Sequence, residues 1–313
     1  MNSKLNRCVA SLLISASIFS FGTLGVSAAG SDLSGGGQAA LARASDRAYQ
    51  KELSTNKIPS KSIWNYSKVT LTYGGRTLSC DARKINGATY VALRSFAGEF
   101  SGLKVKYNST VKTLYITGKD IEISATDGSN IIYANGRVIY SLDPNVIMTN
   151  GRMYVPVGSI AKALSLSAGN VGNLTTSLSG TVRGIKSGLS FYRDDEVLWL
   201  ARIISAESQG EPLLGQIAVG CVVLNRVKSP QYPNTIWSVI FDKKYGVQFS
   251  PVANGTIYNN PTASAITAAK ICLEGFSVDT GVLFFLHPEI STSSWITKTR
   301  EYAFSIGNHD FYR

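Results

Sequence analysis

Glu207 is the side chain in this sequence whose surroundings could turn it into an acid. Leu200, Ile203 or Ile204, and Glu207 recur at spacings of three and four, so the carboxyl continues the apolar face of a helix. A carboxyl at the end of a buried stripe loses water, which favours its protonated form and suits it to general-acid work near neutral pH. Glycosidic oxygens are leaving groups of the kind that need such a proton. The stripe alone leaves a second reading open, a solvated glutamate at a frayed helix end. Glu211 is the nearest other acid; it precedes Pro212 in a turn, which suits capping or loop-ordering better than catalysis. The two histidines, His287 and His309, stand 22 residues apart without the short spacings of a zinc site.

The elements that would position Glu207 can be read around it. Asp194 or Asp195 can cap a helix in which Val197, Leu200, Ala201 and Ile204 share a face. Gly210 and Pro212 end it, and Leu214 to Val227 form a second, largely buried helix. Before these helices, Gly169 to Gly188 is rich in Gly, Ser, Thr and Asn and reads as a boundary. Residues 67–170 hold an internal repeat: Asn86-Gly87-Ala88-Thr89-Tyr90-Val91 aligns with Asn150-Gly151-Arg152-Met153-Tyr154-Val155, offset by 64. Each Asn-Gly predicts a tight turn, each Tyr-Val a short strand, and the residues after it a short helix. Leu103–Tyr107 and Thr113–Ile116 alternate like a hairpin.

Composition narrows the class. With 44% hydrophobic and 16% charged residues, 313 residues suffice for two folded units with real cores. Lys4 and Arg7 precede an apolar run from Val9 to Val26 that ends at Ser27, Ala28 and Ala29, the pattern of a cleaved export signal. The expected order is a signal peptide at 1–29, a spacer at 30–66, a strand-rich accessory domain at 67–170, a linker at 171–190, and a catalytic domain at 191–313. Beyond the leader, Cys80, Cys221 and Cys272 are an odd set, so the fold rests on packing; a bridge between Cys221 and Cys272 stays open. The net charge of +11 is uneven, with twelve basic against six acidic residues in 67–180 and twelve against eleven in 181–313. A basic exported module suits anionic wall polymer or a membrane surface. Motifs that would recognise nucleic acid are not found.

Beyond these local patterns, Trp199 to Pro212 with its Ala206-Glu207-Ser208-Gln209-Gly210-Glu211-Pro212, then Gly215–Gly220 and Val223–Val227, resemble the SleB-type spore-cortex-lytic cell wall hydrolase family. Tyr232-Pro233-Asn234-Thr235, Gln248–Tyr258, Thr292–Ile296 and Ile306–His309 extend that resemblance over residues 194–313. It implies an α+β, lysozyme-like catalytic domain with Glu207 as catalytic acid, no cofactor, and lytic transglycosylation of peptidoglycan glycan strands. Gln248, Phe249, Ser250, Tyr258 and Trp295 are the candidate substrate-binding residues, on the reading that Gln248–Tyr258 forms a groove wall. An ordered surface loop is the alternative for that segment, and Tyr258 and Trp295 could equally be core aromatics. His287 where the family has Asn, and Lys298–Glu301 where it has Arg-Pro, depart from the pattern. The repeat region resembles the copper amine oxidase N-terminal-like domain, and reads as a wall-binding accessory or a plain spacer; no histidine falls between residues 30 and 286. A zinc-dependent amidase and a non-catalytic wall-binding protein are the rival functions. The expected location is outside the cell, at the wall or spore cortex.

Overall fold

The computed structural model describes residues 66–85, 87–142, 146–244, 246–291 and 294–313. The expected leader, almost all of the spacer, and Asn86 lie outside the described residues. The rest divides into two compact units that meet in sequence at Arg193/Asp194. Together they make an α+β chain, with the first unit rich in strands and the second built mostly of helices.

The first unit runs through strands β1 (Tyr66–Lys68), β2 (Thr70–Tyr73), β3 (Arg76–Thr77), β4 (Ala82–Ile85) and β5 (Ala88–Ala92) into helix α1 (Leu93–Ala97). A meander follows: β6 (Lys104–Asn108), β7 (Thr113–Gly118), β8 (Ile121–Thr126), β9 (Ile131–Ala134) and β10 (Arg137–Tyr140). Then come β11 (Ile147–Thr149), β12 (Arg152–Pro156), α2 (Val157–Ala163), β13 (Ser167–Gly172), β14 (Thr175–Ser179) and the short α3 (Gly188–Phe191). The expected hairpin is present as β6–β7, antiparallel from Lys104↔Thr117 to Asn108↔Thr113.

The repeat explains the first sheet, ordered β1-β4-β5-β12-β11. Its two copies pair with each other: Val91 faces Val155, its own equivalent, while Ala92 faces Tyr154 and Tyr90 faces Pro156. Each copy is a hairpin followed by a short helix. In the second copy Asn150 (φ 48°) and Gly151 (φ 71°) both turn left-handed, as a two-residue hairpin loop requires. Val91 and Val155 are fully buried, so duplication here means that each copy completes the core of the other. Asp81 ties the copies by its carboxylate, which accepts hydrogen bonds from Arg83, Arg152 and Tyr154.

The segment expected to be a linker at 171–190 belongs to this unit. Thr175 to Leu178 pair in parallel with Thr70 to Tyr73, placing β14 inside the sheet β13-β14-β2-β3. Val182 and Ile185 pack on the core, and the Asn135 side-chain amide donates to the Ile185 carbonyl at 2.8 Å. Two of its glycines serve close packing: a Cβ on Gly184 would collide with the Asp120 carbonyl, and one on Gly188 with the Gly136 carbonyl.

The second unit carries α4 (Asp194–Ser208), α5 (Leu213–Lys228), α6 (Ile236–Ile240), α7 (Ser250–Asn254), a 3-10 turn (Thr256–Tyr258) and α8 (Ala263–Leu273). A small sheet, ordered β15-β17-β16, adds β15 (Phe284–Leu286), β16 (Tyr302–Ile306) and β17 (His309–Tyr312), with α9 (Trp295–Thr299) before β16. Helices α4, α5 and α8 pack against one another. Asp194, Asp195 and Glu196 in the first turn of α4 complement its dipole. Leu200, Ile203 and Ile204 are fully buried on its inner face, and each contributes about 2 kcal/mol of hydrophobic stabilisation. Cys80, Cys221 and Cys272 are free and buried. The last two sit side by side across α5 and α8, and the hydrogen bond between them is the leading cause that holds the Cys221 thiol down at about 7.

Candidate active site

Glu207 lies in the last turn of α4, half-buried, where the stripe of Leu200, Ile203 and Ile204 ends. Burial raises its pKa from 4.5 to about 7, and the positive charge of Arg226 opposes that rise. The end of α4 is fixed from both sides. The Ser208 hydroxyl donates to the Ile204 carbonyl at 2.7 Å, and Ser205 accepts from the Thr262 backbone amide at 3.1 Å. Thr262 in turn caps α8 by accepting from the Ala265 amide. These bonds fix the end of α4, which carries Glu207, against the start of α8.

Arg226 was not singled out from sequence, although the signal resembles that of Glu207: a charged residue continuing the buried stripe Val219, Val222 or Val223 of α5. It is 5% exposed. Its Nε donates to the Leu283 carbonyl at 2.8 Å, and its guanidinium lies about 5 to 6 Å from the ring centres of Tyr232, Phe249 and Phe284. One Nη has no hydrogen-bond partner, and burial lowers its pKa. Beside it the Asn225 side-chain amide donates to the Asp279 and Val282 carbonyls, both at 2.9 Å. This pair fastens the approach to β15 onto α5.

Glu211, four residues beyond Glu207, is engaged in structure. Asn308 donates its backbone amide to one carboxylate oxygen at 2.9 Å and its side-chain amide to the other at 3.0 Å. His309 Nδ1 lies 3.6 Å from the second oxygen. A Cβ on Gly307 would collide with this carboxylate, and Gly307 has φ +59°, so glycine is required on both counts. Glu211 therefore locks the α4–α5 junction to the β16–β17 turn, the loop-ordering role expected of it. No sequence spacing of 97 residues could have announced the contact.

The candidate binding residues divide. Tyr258 is 60% exposed and its 3-10 turn packs on α4. Gln248 and Ser250 are half-buried at the entrance to α7, with the Gln248 amide donating to the Gly246 carbonyl at 3.1 Å. Phe249, expected to bind substrate, is 2% exposed and packs on Arg226 and Phe285, so its ring lies in the core rather than on the surface. Trp295 is 49% exposed and meets Phe284 edge-on at 5.8 Å, so it touches the aromatic surround of Arg226 through one neighbour.

Antiparallel pairing of β15 with β17 brings His287 and His309 together, with ring centres 5.9 Å apart. Burial lowers the pKa of His309. Among the described residues, no group of three His, Cys, Asp or Glu is arranged to hold a metal ion.

Comparison with known proteins agrees with this division. Residues 210–312 match the family described as Cell Wall Hydrolase, and residues 72–176 match the Copper amine oxidase N-terminal domain. The chain thus carries a cell wall hydrolase domain behind a copper amine oxidase N-terminal-like domain. The family match begins at Gly210, so the case for Glu207 rests on its own surroundings.

Among individual proteins, the chain is similar to spore cortex-lytic enzymes. It is 38% identical to that of Bacillus cereus over 120 residues, 38% of this chain and 45% of the relative. It is 34% identical to that of Bacillus subtilis over 120 residues, 38% of each. The matched stretch spans less than half the length of these relatives. The solved catalytic domain of the germination-specific lytic transglycosylase SleB from Bacillus anthracis is 36% identical, with 41% of this chain and all of that one covered and a TM-score of 0.36.

Proposed function

We propose that the chain cleaves the glycan backbone of peptidoglycan by lytic transglycosylation, with Glu207 moving the proton in both halves of the reaction. The observation that carries this reading is a half-buried carboxyl at the end of an apolar stripe, raised to about 7 by its surroundings. In that state it holds a proton at neutral pH. It donates the proton to the glycosidic oxygen as the bond from the muramyl anomeric carbon breaks. The resulting carboxylate takes the proton of the same sugar's 6-hydroxyl, whose oxygen closes on the anomeric carbon as a 1,6-anhydro ring. No water is consumed, and Glu207 returns to its starting state. Glu211, with both oxygens bound by Asn308, is left to ordering the loop. Spore cortex-lytic relatives favour cortex peptidoglycan as the substrate.

The same reading takes the first unit as a wall-binding accessory of an exported protein. Its support is the twelve-to-six excess of basic residues in 67–180, which suits anionic wall polymer or a membrane surface. The deciding experiment incubates the full chain and its Glu207→Gln variant with spore cortex and with vegetative wall, then weighs the products. Anhydro-muropeptides from the parent alone support the proposal. Hydrated reducing ends would replace it with hydrolysis, and released peptide stems with an amidase.

A further inference from the structure

Four aromatic side chains gather on the flank of α4, away from its buried face. Trp199 meets Phe241 edge-on with centres 5.3 Å apart and Tyr258 edge-on at 6.2 Å. Over that edge the other rings are roughly aligned: Trp237 and Phe241 lie 31° apart in plane at 4.9 Å, and Phe241 and Tyr258 lie 36° apart at 6.4 Å. The Arg202 guanidinium lies 5.0 Å from the centre of the Trp199 ring. The two outer rings stay in water, Trp237 at 53% and Tyr258 at 60% exposure. Neighbouring large aromatics left open in this way mark a surface built for contact.

Resting on the glycan-cleaving reading above, we propose that Trp199, Trp237, Phe241 and Tyr258 form a stacking platform for sugars remote from the bond that is cut. Glu207 is eight residues along the same helix from Trp199, and at 1.5 Å per residue the separation is about 12 Å, roughly two to three pyranose rings of an extended strand. Eight residues also turn the helix by about 80°, so the platform lies on the face next to that of Glu207, and a glycan strand seated at Glu207 reaches it by crossing α4 obliquely. The exposed rings of Trp237 and Tyr258 suit the flat C–H faces of sugars, with Trp199 and Phe241 packed behind them, and the Trp indole N–H and Tyr hydroxyl offer hydrogen bonds to ring substituents. This platform makes the enzyme favour long strands over fragments. It also assigns purpose to three aromatics, Trp199, Trp237 and Phe241, that the acid chemistry does not use.

The test uses the full chain in the Glu207→Gln background, so that ligand binds without being cut. Calorimetric titration with the disaccharide and hexasaccharide of β-1,4-linked N-acetylglucosamine reads the contribution of length. The hexasaccharide should bind more tightly than the disaccharide, and W237A and Y258A should each weaken its binding about 3- to 10-fold. Because Trp237 and Tyr258 are exposed, both variants should keep the parent's circular dichroism; W237F gives a second handle and should retain most of the affinity. Hexasaccharide affinity unchanged in both alanine variants overturns the platform. A parent chain that cuts wall glycan while its binding ignores Trp237 refutes the platform alone. A parent that releases no anhydro-muropeptide refutes the proposed function, whatever Trp237 does.

Discussion

Replacing Glu207 by Gln should make the second unit inactive and, at alkaline pH, more stable. The argument follows from burial. The folded pKa, about 7, stands above the ordinary 4.5, so the contribution of Glu207 to stability is fully present below about pH 4.5 and is lost as pH rises through about 7. Relative to an uncharged isostere, the linkage relation makes the parent carboxyl cost about 1 kcal/mol at pH 5 and about 3 kcal/mol at pH 8. For a unit of this size the second figure corresponds to a melting temperature raised by roughly 10 °C in the variant. The catalytic rate should fall roughly a hundred- to ten-thousand-fold, since Gln keeps the shape but carries no transferable proton. In the parent, the same titration should cut the protonated fraction about tenfold between pH 6 and pH 8 and bring activity down with it. The assays are calorimetric melting of both proteins from pH 5 to pH 8 and release of anhydro-muropeptides across the same range. A stability gap that does not widen with pH would refute the burial argument. Near-normal activity in Glu207→Gln, together with its loss in Glu211→Gln, would show that the acid is the other carboxylate.

Three further outcomes follow from the packing. Gly307→Ala should destabilise the second unit by about 2 kcal/mol or more, because a Cβ meets the Glu211 carboxylate and the backbone is left-handed there; chemical denaturation measures it. Asp81, held at about 2 chiefly by its hydrogen bonds from Arg83, contributes stability present above about pH 3.8 and lost as pH falls through about 2. Asp81→Asn should therefore cost the first unit at most about 2 kcal/mol at neutral pH, with the gap to the parent closing between pH 4 and pH 2 in acid melts. Removing the first unit should weaken sedimentation with insoluble wall in low salt and matter less as salt rises; equal binding by residues 194–313 alone would assign wall affinity to the second unit.

Local pattern carried much of this fold. The periodic apolar residues and the Gly210/Pro212 punctuation delimit α4 and α5 to within one residue at the Leu213 and Lys228 ends. The repeat was visible as a repeat, but its consequence was not. That Val91 should face Val155 depends on the two copies meeting, which a linear reading does not encode. In Gly169–Gly188 small residues signal both loose chain and tight contact, and sequence does not separate the two; Gly184 is small because backbone presses on it. At the site, Glu207 stood out because its environment is built by its own helix. The burial of Phe249, the place of Arg226 and the pairing of the histidines were not legible, because their neighbours come from other elements. A phenylalanine in a polar, glycine-containing segment looks the same whether it faces a groove or a core.

On the proposed reading, Glu207 and Glu211 give one short motif two carboxylates with opposite duties. They are four residues apart, yet α4 ends at Ser208, so they do not share a helical face. Glu207 stays on the rigid side of that break, where apolar neighbours favour its neutral form. Glu211 falls on the turn, where the backbone and side-chain amides of Asn308 each donate to one of its oxygens. So engaged, it ties the turn between α4 and α5 to the β16–β17 turn, whereas Glu207 is desolvated. A carboxyl so desolvated is costly to ionise and gives up its proton most readily to a bond that develops negative charge as it breaks. The hydrogen bonds at Glu211 also hold β16 and β17 against the end of α4, and so help to keep the acid where the helices place it. On that reading, the termination of a single helix separates the proposed proton carrier from the residue that orders the loop.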